Sequence, residues 1–288
     1  MKNQHTRFRC LLILSFLLLQ FNTVIADVFR SEDVRGNVSF SDQPSANATR
    51  IKAPTKSYRY KQAIKRVYDG DTIILENGER IRFLGINTPE IESRYRDGQT
   101  GGQTAKKWLQ DKIKDNSVFL EYDSEQRDKY DRLLAHVFTI EGEHLNLSLL
   151  QTGLATLSII PPNLRYSSEL QQAEQQAEQQ GVGIWSMAEY QADAVDKITK
   201  NKRNSGWQRI LATPTKITHS RKYTRLILTD KVDIRIPKDN VELFPDLDSY
   251  LNKELEIRGW VSRSKGHYSI LIRHPSALVI KDGAVFVQ

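Results

Sequence analysis

Three short segments between residues 67 and 135 carry charged side chains at turns and strand ends. The first, residues 67–72 with the sequence VYDGDT, places two carboxylates in a tight turn that leads into a strand. Taken alone, an Asp-Gly pair most often marks an ordinary hairpin turn. A carboxylate such as that of Asp71 is also a ligand for a hard cation such as calcium or magnesium. The segment therefore allows two interpretations, a simple turn and a cation site.

The other two segments each place an arginine beside apolar residues. Residues 82–90, RFLGINTPE, begin with an inward-facing Arg82 in an apolar strand and continue into a turn fixed by proline. Residues 129–135, KYDRLLA, place Arg132 at the mouth of another strand. A charge embedded in an apolar strand is costly unless a partner or a ligand compensates it. Phosphodiester hydrolysis needs such positive charge around a five-coordinate phosphorus, together with a positioned water.

The order of these segments, with a helix-forming insert between the second and third, closely resembles the staphylococcal nuclease family. The resemblance covers about Arg59 to Ser186 and includes the closing residues 183–186, GIWS. It implies phosphodiester cleavage that leaves a 3′-phosphate. Arg82 and Arg132 would then clamp the phosphate, and Glu90 would act on the attacking water as general base.

The same resemblance implies a calcium site, with magnesium or another divalent ion as the alternative. Asp71 supplies a carboxylate, Thr88 its main-chain carbonyl, and position 87 a side-chain oxygen. Position 87 is Asn in this sequence, whereas the best-known family member has Asp. Because the site loses one negative charge, we expect weaker calcium affinity or an altered metal preference, with catalysis retained.

Family positions that contact substrate outside the metal are only partly occupied by similar residues. Lys129 and Tyr130 match positions that contact the neighbouring phosphate. Ile159 and Pro161 fall where the family prototype has tyrosines that stack on the nucleotide. His136 and His144 lie in strand-like and helix-like contexts, and we interpret them as structural or exposed rather than as a ligand pair.

The elements that must position these residues are short strands with helices between them. Alternating apolar residues predict five strands. They are at 63–67, 72–75, 80–86, 117–122 and 133–139. Helical spacing predicts three helices. They are at 104–113, 145–150 and 168–180. The fold class is therefore mainly β with helices, a five-stranded OB-type barrel flanked by three helices, followed by a second small OB-like β-barrel.

The first residues have the composition of an export signal. A basic start precedes an apolar run from Leu11 to Phe21 and a cleavage site at residues 24–26, VIA. Residues 1–26 are therefore interpreted as a signal peptide, with a membrane anchor as the alternative. Cys10 is the only cysteine, so the chain from Asp27 has no disulfide. These features predict a periplasmic or secreted bacterial protein, monomeric and without stable membrane association after cleavage.

Four further regions follow the predicted signal peptide. Residues 27–57 resemble a short envelope-protein module with a β-hairpin, and residues 59–189 are the predicted catalytic domain. Residues 190–205 are a predicted linker, and residues 206–288 resemble OB-fold barrels. Candidate base-stacking and phosphate-binding residues occur in this last region, although buried aromatics of a core would give the same pattern. They are Trp207, Tyr223, Trp260 and Tyr268, and Arg221, Lys222, Arg225, Arg263 and Lys265.

The charge of the chain is concentrated near its C-terminus. Residues 201–288 contain 16 Lys and Arg against 9 Asp and Glu, a net charge of +7. Residues 27–200 contain 23 against 26, a net charge of −3. A basic region attracts polyanions such as DNA and RNA. The favoured hypothesis is a nuclease acting on DNA, with RNA as a second substrate. The alternatives are a non-catalytic nucleic-acid-binding envelope protein and, third, a structural envelope protein.

Overall fold

The computed structural model describes residues 58–92, 97–200 and 206–281 in full, and the backbone of three strands nearer the N-terminus. The chain divides into two compact units, Met1–Ser57 and Tyr58–Gln288. The predicted signal peptide, residues 1–26, lies outside the described residues. Among the described helices, none is both long enough and apolar enough to cross a membrane.

The first unit contains a small antiparallel sheet. Its strands are β1 (Val28–Glu32), β2 (Val38–Ser41) and β3 (Thr49–Ile51). Strand β1 lies in the centre and pairs with both of the others. The predicted hairpin corresponds to β1 and β2, and β3 adds a strand that the sequence pattern did not predict.

The second unit begins with a closed five-stranded barrel. Its strands are β4 (Arg59–Val67), β5 (Thr72–Leu75), β6 (Arg80–Phe83), β8 (Ser117–Glu121) and β9 (Leu133–Phe138). They close in the order β4-β5-β6-β9-β8, and only the β6–β9 pair is parallel. The interior is filled by aliphatic side chains and one phenylalanine, including Ile73, Ile81, Phe83, Leu120 and Val137. The predicted barrel is confirmed.

The chain leaves the barrel wall just before residues 87 and 88. The sequence predicted one strand over 80–86, but β6 ends at Phe83 and β7 (Gly85–Asn87) begins a separate pairing. Gly85 has a φ of 75°, and a Cβ atom there would lie 2.5 Å from the Leu170 side chain. Strand β7 pairs instead with β10 (Thr156–Ser158). This break turns the following residues toward the Asp-Gly-Asp turn.

Three helices flank the barrel close to their predicted positions. They are α1 (Gly102–Lys112), α2 (Leu145–Gln151) and α3 (Ser167–Gln179). Each buries an aliphatic stripe against the barrel core, as the helical spacing of apolar residues predicts. Helix α1 contributes Leu109, and α3 contributes Leu170 and Ala173. A 3₁₀ turn at Gly183–Ser186 then buries Ile184 and Trp185.

The C-terminal part of this unit is a second sheet that follows the same strand order as the barrel. Its strands are β11 (Asp193–Ala194), β12 (Gly206–Ala212), β13 (Lys216–His219), β14 (Tyr223–Ile227), β15 (Val232–Pro237), β16 (Leu255–Ser264), β17 (His267–Leu271) and β18 (Leu278–Ile280). When β12, β14, β15, β16 and β17 are counted as strands one to five, the hydrogen-bonded path β14-β15-β17-β16-β12 runs two, three, five, four, one. The five barrel strands follow the same order, and in both sheets strands three and five pair in parallel. This connectivity supports the OB-like interpretation, although the hydrogen-bonded path is open rather than closed in the described residues.

Two segments of the C-terminal region differ in detail from the sequence prediction. The stretch predicted to be a linker contains β11, which pairs in parallel with β12, and a short helix α4 (Asp196–Lys200). Ile198 of that helix is buried in the C-terminal core. Residues 246–252, whose composition would also allow a short helix, contain a 3₁₀ turn, Leu247–Tyr250.

A buried ionic cluster joins the two sheets of the second unit. Arg258 on β16 contacts Glu174 of α3 at 2.9 Å and Glu256 at 2.7 Å, and it also pairs with Glu178. Arg209 on β12 pairs with the same Glu178 and lies 2.8 Å from Glu256. Burial raises the pKa of Glu174, whereas Arg209, Arg258 and a lysine outweigh burial and lower the pKa of Glu256 to about 2. Ionic contacts therefore fix the C-terminal sheet to helix α3.

Candidate active site

Arg82 lies on β6 with its side chain outside the barrel core. The sequence predicted an inward-facing arginine, and that prediction is wrong because the neighbours Ile81 and Phe83 fill the core on the opposite face. The guanidinium is 15% exposed, with Nη1 2.6 Å from Asp71 Oδ2. Its Nη2 donates to Asn87 Oδ1 at 2.9 Å. The compensating partners that the sequence required are thus two of the three predicted metal ligands, Asp71 and Asn87.

Asp71 is almost fully buried in the turn before β5, where three groups hold its carboxylate. Besides Arg82, the Thr88 amide donates to Oδ2 at 2.8 Å and the Thr72 hydroxyl donates to Oδ1 at 3.1 Å. Gly70 permits this approach, because a Cβ atom there would lie 2.7 Å from Thr88 Oγ1. The Asp-Gly-Asp turn is therefore both a turn and part of a polar site.

Asp69 adds a second carboxylate next to Asp71. Its Oδ1 accepts a hydrogen bond from the Asp71 amide at 3.1 Å. Burial and the neighbouring charge of Asp71 raise the pKa of Asp69 to about 7. Two carboxylates in this position create a local excess of negative charge. A bound cation would relieve it.

Asn87 and Thr88 supply the remaining predicted metal ligands, and their geometry limits the site. The single oxygen of the Asn87 amide faces Arg82, while its Nδ2 donates to the Thr88 carbonyl oxygen at 3.2 Å. The Thr156 hydroxyl fixes the Asn87 main chain through a 3.2 Å hydrogen bond. An oxygen-ligated cation fits Asp71 and the Thr88 carbonyl, but Asn87 can reach it only through the oxygen that Arg82 also holds.

Acidic and histidine side chains alone do not define a metal centre here. Within the described residues, no three His, Cys, Asp or Glu side chains gather as a metal-binding group. The predicted donor set contains one carboxylate, one amide and one main-chain carbonyl. Calcium and magnesium accept such mixed oxygen ligands and complete their shells with water or substrate oxygens.

Glu90 follows the proline of the second segment and is half-buried. Gln99 holds the Glu90 main chain at two points. The Gln99 side-chain Oε1 accepts from the Glu90 main-chain amide at 2.8 Å, and the Gln99 main-chain amide donates to the Glu90 carbonyl oxygen at 2.8 Å. Gly102 at the start of α1 lies so close that a Cβ atom would be 2.5 Å from the Glu90 carbonyl oxygen. A loop and a helix terminus together fix the main chain from which this side chain extends.

Arg132 stands immediately before β9, where the parallel pairing of Ile81 with Leu133 brings it beside β6. Asp128 orients it: Oδ2 accepts from Arg132 Nε at 2.8 Å, and Oδ1 accepts from its main-chain amide at 3.0 Å. Burial alone would raise the pKa of Asp128, but the hydrogen bonds from Arg132 and Tyr130 lower it overall. Sequence reasoning missed Asp128, although its position four residues before Arg132 was a signal.

Lys129 and Tyr130 form an exposed patch next to Arg132. Tyr130 is 68% exposed. The Lys129 ammonium lies 4.9 Å from the Tyr130 ring centroid, and the Arg132 guanidinium lies 5.5 Å from the same centroid. The described geometry thus brings both predicted substrate-binding residues to one side of Arg132, with their surfaces open to solvent.

Comparison with known proteins places these residues in a family. Residues 80–187 match the family model described as staphylococcal nuclease homologue. Thermonuclease of Staphylococcus intermedius is 38% identical over 125 residues, which cover 42% of this chain and 74% of that protein. The chain belongs to the staphylococcal nuclease family.

Other relatives of this nuclease-family chain show how far the similarity extends. The SPbeta prophage-derived endonuclease YokF of Bacillus subtilis (strain 168) is 35% identical over 135 residues, or 45% of each chain. The uncharacterized protein MJ1439 of Methanocaldococcus jannaschii is 32% identical over 203 residues, covering 62% of this chain and 95% of that protein. The second alignment is too long to be confined to residues 59–189, so its similarity reaches beyond the predicted catalytic domain.

The candidate base-contact residues of this staphylococcal nuclease-family chain differ widely in exposure. Ile159 is 7% exposed and therefore unavailable as a base contact, whereas Ile160 beside it is 49% exposed. In the C-terminal sheet, Tyr268 is a core residue and Trp260 is 42% exposed. Trp207 is half-buried and lines a cavity together with Asn87, Pro89 and Tyr190. Sequence reasoning named Trp207 but did not connect it with the catalytic residues.

His136 and His144 come together on the barrel, away from the predicted ligands. The sequence interpretation excluded a ligand pair but did not foresee that the two rings meet, with His144 Nε2 3.3 Å from His136 Nδ1. Burial lowers the pKa of both rings to about 3. The cluster around them contains Glu121, Arg59, Arg165 and Tyr166. These contacts link the rings to a largely buried polar network and support a structural role.

The buried pair of His136 and His144 predicts that the folded state is less stable at acidic pH. Both folded-state pKa values lie below the ordinary 6.5, so the unfolded chain binds more protons than the folded chain between pH 6.5 and 3. The free energy of unfolding is therefore highest above pH 6.5 and falls on acidification, by about 2 kcal/mol per histidine between about pH 7.5 and 5. Urea unfolding at both pH values measures it. His144→Gln should reduce the pH dependence of the unfolding free energy, whereas replacement of the exposed His219 by Gln is the control and should leave it unchanged. An unchanged pH dependence in His144→Gln would contradict the assignment.

Proposed function

We propose that this protein is an exported, divalent-cation-dependent endonuclease that hydrolyses the phosphodiester bonds of DNA, and of RNA as a second substrate. The observation that carries the proposal is the contact of Arg82 with both Asp71 and Asn87. It brings a phosphate-binding arginine and oxygen ligands for a hard cation into one polar site. Membership of a family whose relatives include a thermonuclease and endonucleases supports it.

In the proposed reaction, Glu90 accepts the proton of the attacking water, which forms a new bond to phosphorus in line with the 5′-oxygen. The bond between phosphorus and the 5′-oxygen breaks, the 5′-oxygen takes up a proton, and a 3′-phosphate remains. Arg82 and Arg132 stabilise the charge on the five-coordinate phosphorus by paired hydrogen bonds. Asp71 and the Thr88 carbonyl would hold a calcium ion, which would supply Lewis-acid polarisation of the phosphate.

Incubation with plasmid DNA and single-stranded DNA tests the proposal. We expect cleavage with calcium and none with a chelator. The 3′ ends of the products should be extended by a terminal transferase only after phosphatase treatment. The alternative, a non-catalytic nucleic-acid-binding protein, predicts tight binding without cleavage by clean wild-type protein. The presence of Arg82, Glu90 and Arg132 favours the enzyme.

A substitution at position 87 tests the proposed metal site. Asn87→Asp offers a second oxygen, so Arg82 can keep one while the other binds the cation. We expect the calcium concentration for half-maximal activity to fall about tenfold. Calorimetry of calcium binding gives a second measurement. Asn77→Asp, in an exposed turn, adds the same charge elsewhere and should change neither. An unchanged titration in Asn87→Asp would contradict the proposed role.

The C-terminal sheet is proposed to contribute phosphate contacts. Arg221, Lys222 and Lys265 are exposed, whereas Arg225 is paired with buried Asp233 at 3.1 Å. Replacing the three exposed residues by serine should flatten the dependence of log Kd on log salt by about 1 to 2 for single-stranded DNA. Replacing exposed Lys107 on α1, which pairs with Asp111, provides the control. Identical slopes would place the phosphate contacts elsewhere.

A further inference from the structure

A cavity of about 220 Å³ lies directly beside the candidate active site. One side is formed by Asn87, Pro89 and Thr156. The other sides are formed by the loop at Gln99 and by Tyr190 and Trp207. Asn87 belongs both to this cavity and to the polar site, because its side-chain oxygen accepts from Arg82. Whatever occupies the cavity therefore lies next to the phosphate that the arginines would bind.

Two aromatic rings form one wall of the cavity, and the surrounding contacts hold them in place. The ring centroids of Tyr190 and Trp207 are 6.1 Å apart with an interplanar angle of 41°. The Tyr190 hydroxyl donates to the Thr100 carbonyl at 3.2 Å, and the Tyr190 carbonyl accepts from Arg209 at 3.0 Å. Trp207 also packs against the buried cluster around Ile184 and Trp185. A fixed aromatic wall suits a flat ring that stacks on it.

The polar groups around the cavity identify the kind of ring. Glu189 contributes a carboxylate that accepts from the Thr100 hydroxyl at 3.2 Å, and it disfavours a phosphate in the same space. Asn87, Gln99 and Thr156 add amide and hydroxyl groups to the lining. Aromatic faces with hydrogen-bonding groups at the edge match an uncharged heteroaromatic ring that carries donors and acceptors, which describes a nucleobase.

We infer that this cavity receives an unpaired nucleobase adjacent to the cleaved phosphate, with Trp207 as its stacking platform. The inference rests on the proposed nuclease function and adds a residue from the C-terminal sheet to the substrate site. A base within a duplex must leave its partner to enter such a cavity. The site therefore favours single-stranded or locally opened nucleic acid. It would replace aromatic contacts at the positions where this chain has Ile159 and Pro161.

Binding of a short strand with and without its bases tests the inference. The probe is a single-stranded DNA trinucleotide, compared with versions that lack one base each, in a Glu90→Gln background that slows cleavage. We expect loss of one particular base to raise Kd about tenfold. With Trp207→Leu the intact trinucleotide should bind about tenfold more weakly, and removal of that base should then have little further effect.

Two further variants keep this test independent of folding defects. Trp207→Phe retains a stacking ring and should keep most of the difference between intact and abasic strands. Tyr60→Leu removes an exposed aromatic ring on β4, outside this cavity, and should keep the full difference. An abasic penalty that stays the same in Trp207→Leu would overturn the inference. Cleavage by the wild-type protein, measured separately, tests the nuclease function itself.

Discussion

Replacing Arg82 or Arg132 by lysine, or Glu90 by glutamine, is expected to lower kcat by about 10³-fold on single-stranded DNA. Lysine keeps the charge but loses the planar fork with which Arg82 contacts Asp71 and Asn87. Glutamine retains the shape of Glu90 but cannot accept the proton. Initial rates at saturating substrate and calcium measure the effect.

The matched control for these variants is Arg127→Lys. Arg127 lies in the same region but pairs at the surface with Glu79, 2.8 Å away. Its replacement should leave kcat within about twofold, since exposed ion pairs contribute little. Thermal unfolding of every variant separates a catalytic loss from an unfolded preparation. A folded Glu90→Gln variant with nearly wild-type kcat would exclude Glu90 as the general base.

The second large effect is expected at Arg258. Arg258→Ala leaves Glu174, which is buried and bound to the Leu157 amide at 2.7 Å, without its cation. It also removes a partner from Glu178 and Glu256. Loss of one member of a buried ionic cluster costs about 3–5 kcal/mol of unfolding free energy. Denaturant unfolding measures this loss.

Two comparisons separate the ionic contribution at Arg258 from packing. Arg263→Ala removes an exposed arginine from the same strand and should change the stability by no more than about 0.5 kcal/mol. Combining Glu174→Gln with Arg258→Met removes both buried charges and should recover part of the loss, because no unpaired ion remains. A double variant as unstable as Arg258→Ala would assign the effect to packing on Trp185, whose ring lies 5.7 Å from the guanidinium.

Sequence patterns predicted the barrel well because they report local preferences. Alternating residues such as Ile73, Ile81 and Phe83 have to fill a common interior, and helical spacing set α1 and α3. The direction of Arg82 was predicted wrongly, although the alternation of Ile81, Arg82 and Phe83 already places the arginine on the face opposite the core. The strand break at Gly85 was also missed. It depends on a close approach of Leu170, which lies far away in sequence.

The interactions that the sequence did not predict depend on how separate elements pack together. Asp128 orients Arg132 locally, but the proximity of Tyr190 and Trp207 to Asn87 requires the relative placement of two sheets. The pairing of His136 with His144 depends on how α2 begins against β9. No periodicity in one segment contains this information, because the contacts follow from tertiary packing.

The buried contact between Glu174 and Arg258 joins residues 84 positions apart in the chain. The sequence of helix α3 is therefore synthesised well before Arg258, whose charge neutralises Glu174 on this helix. Before Arg258 is in place, the Glu174 carboxylate favours contact with solvent or protonation over its buried native position. A chain that ends before β16 is therefore expected to hold helix α3 less firmly on the barrel and to expose it to proteases.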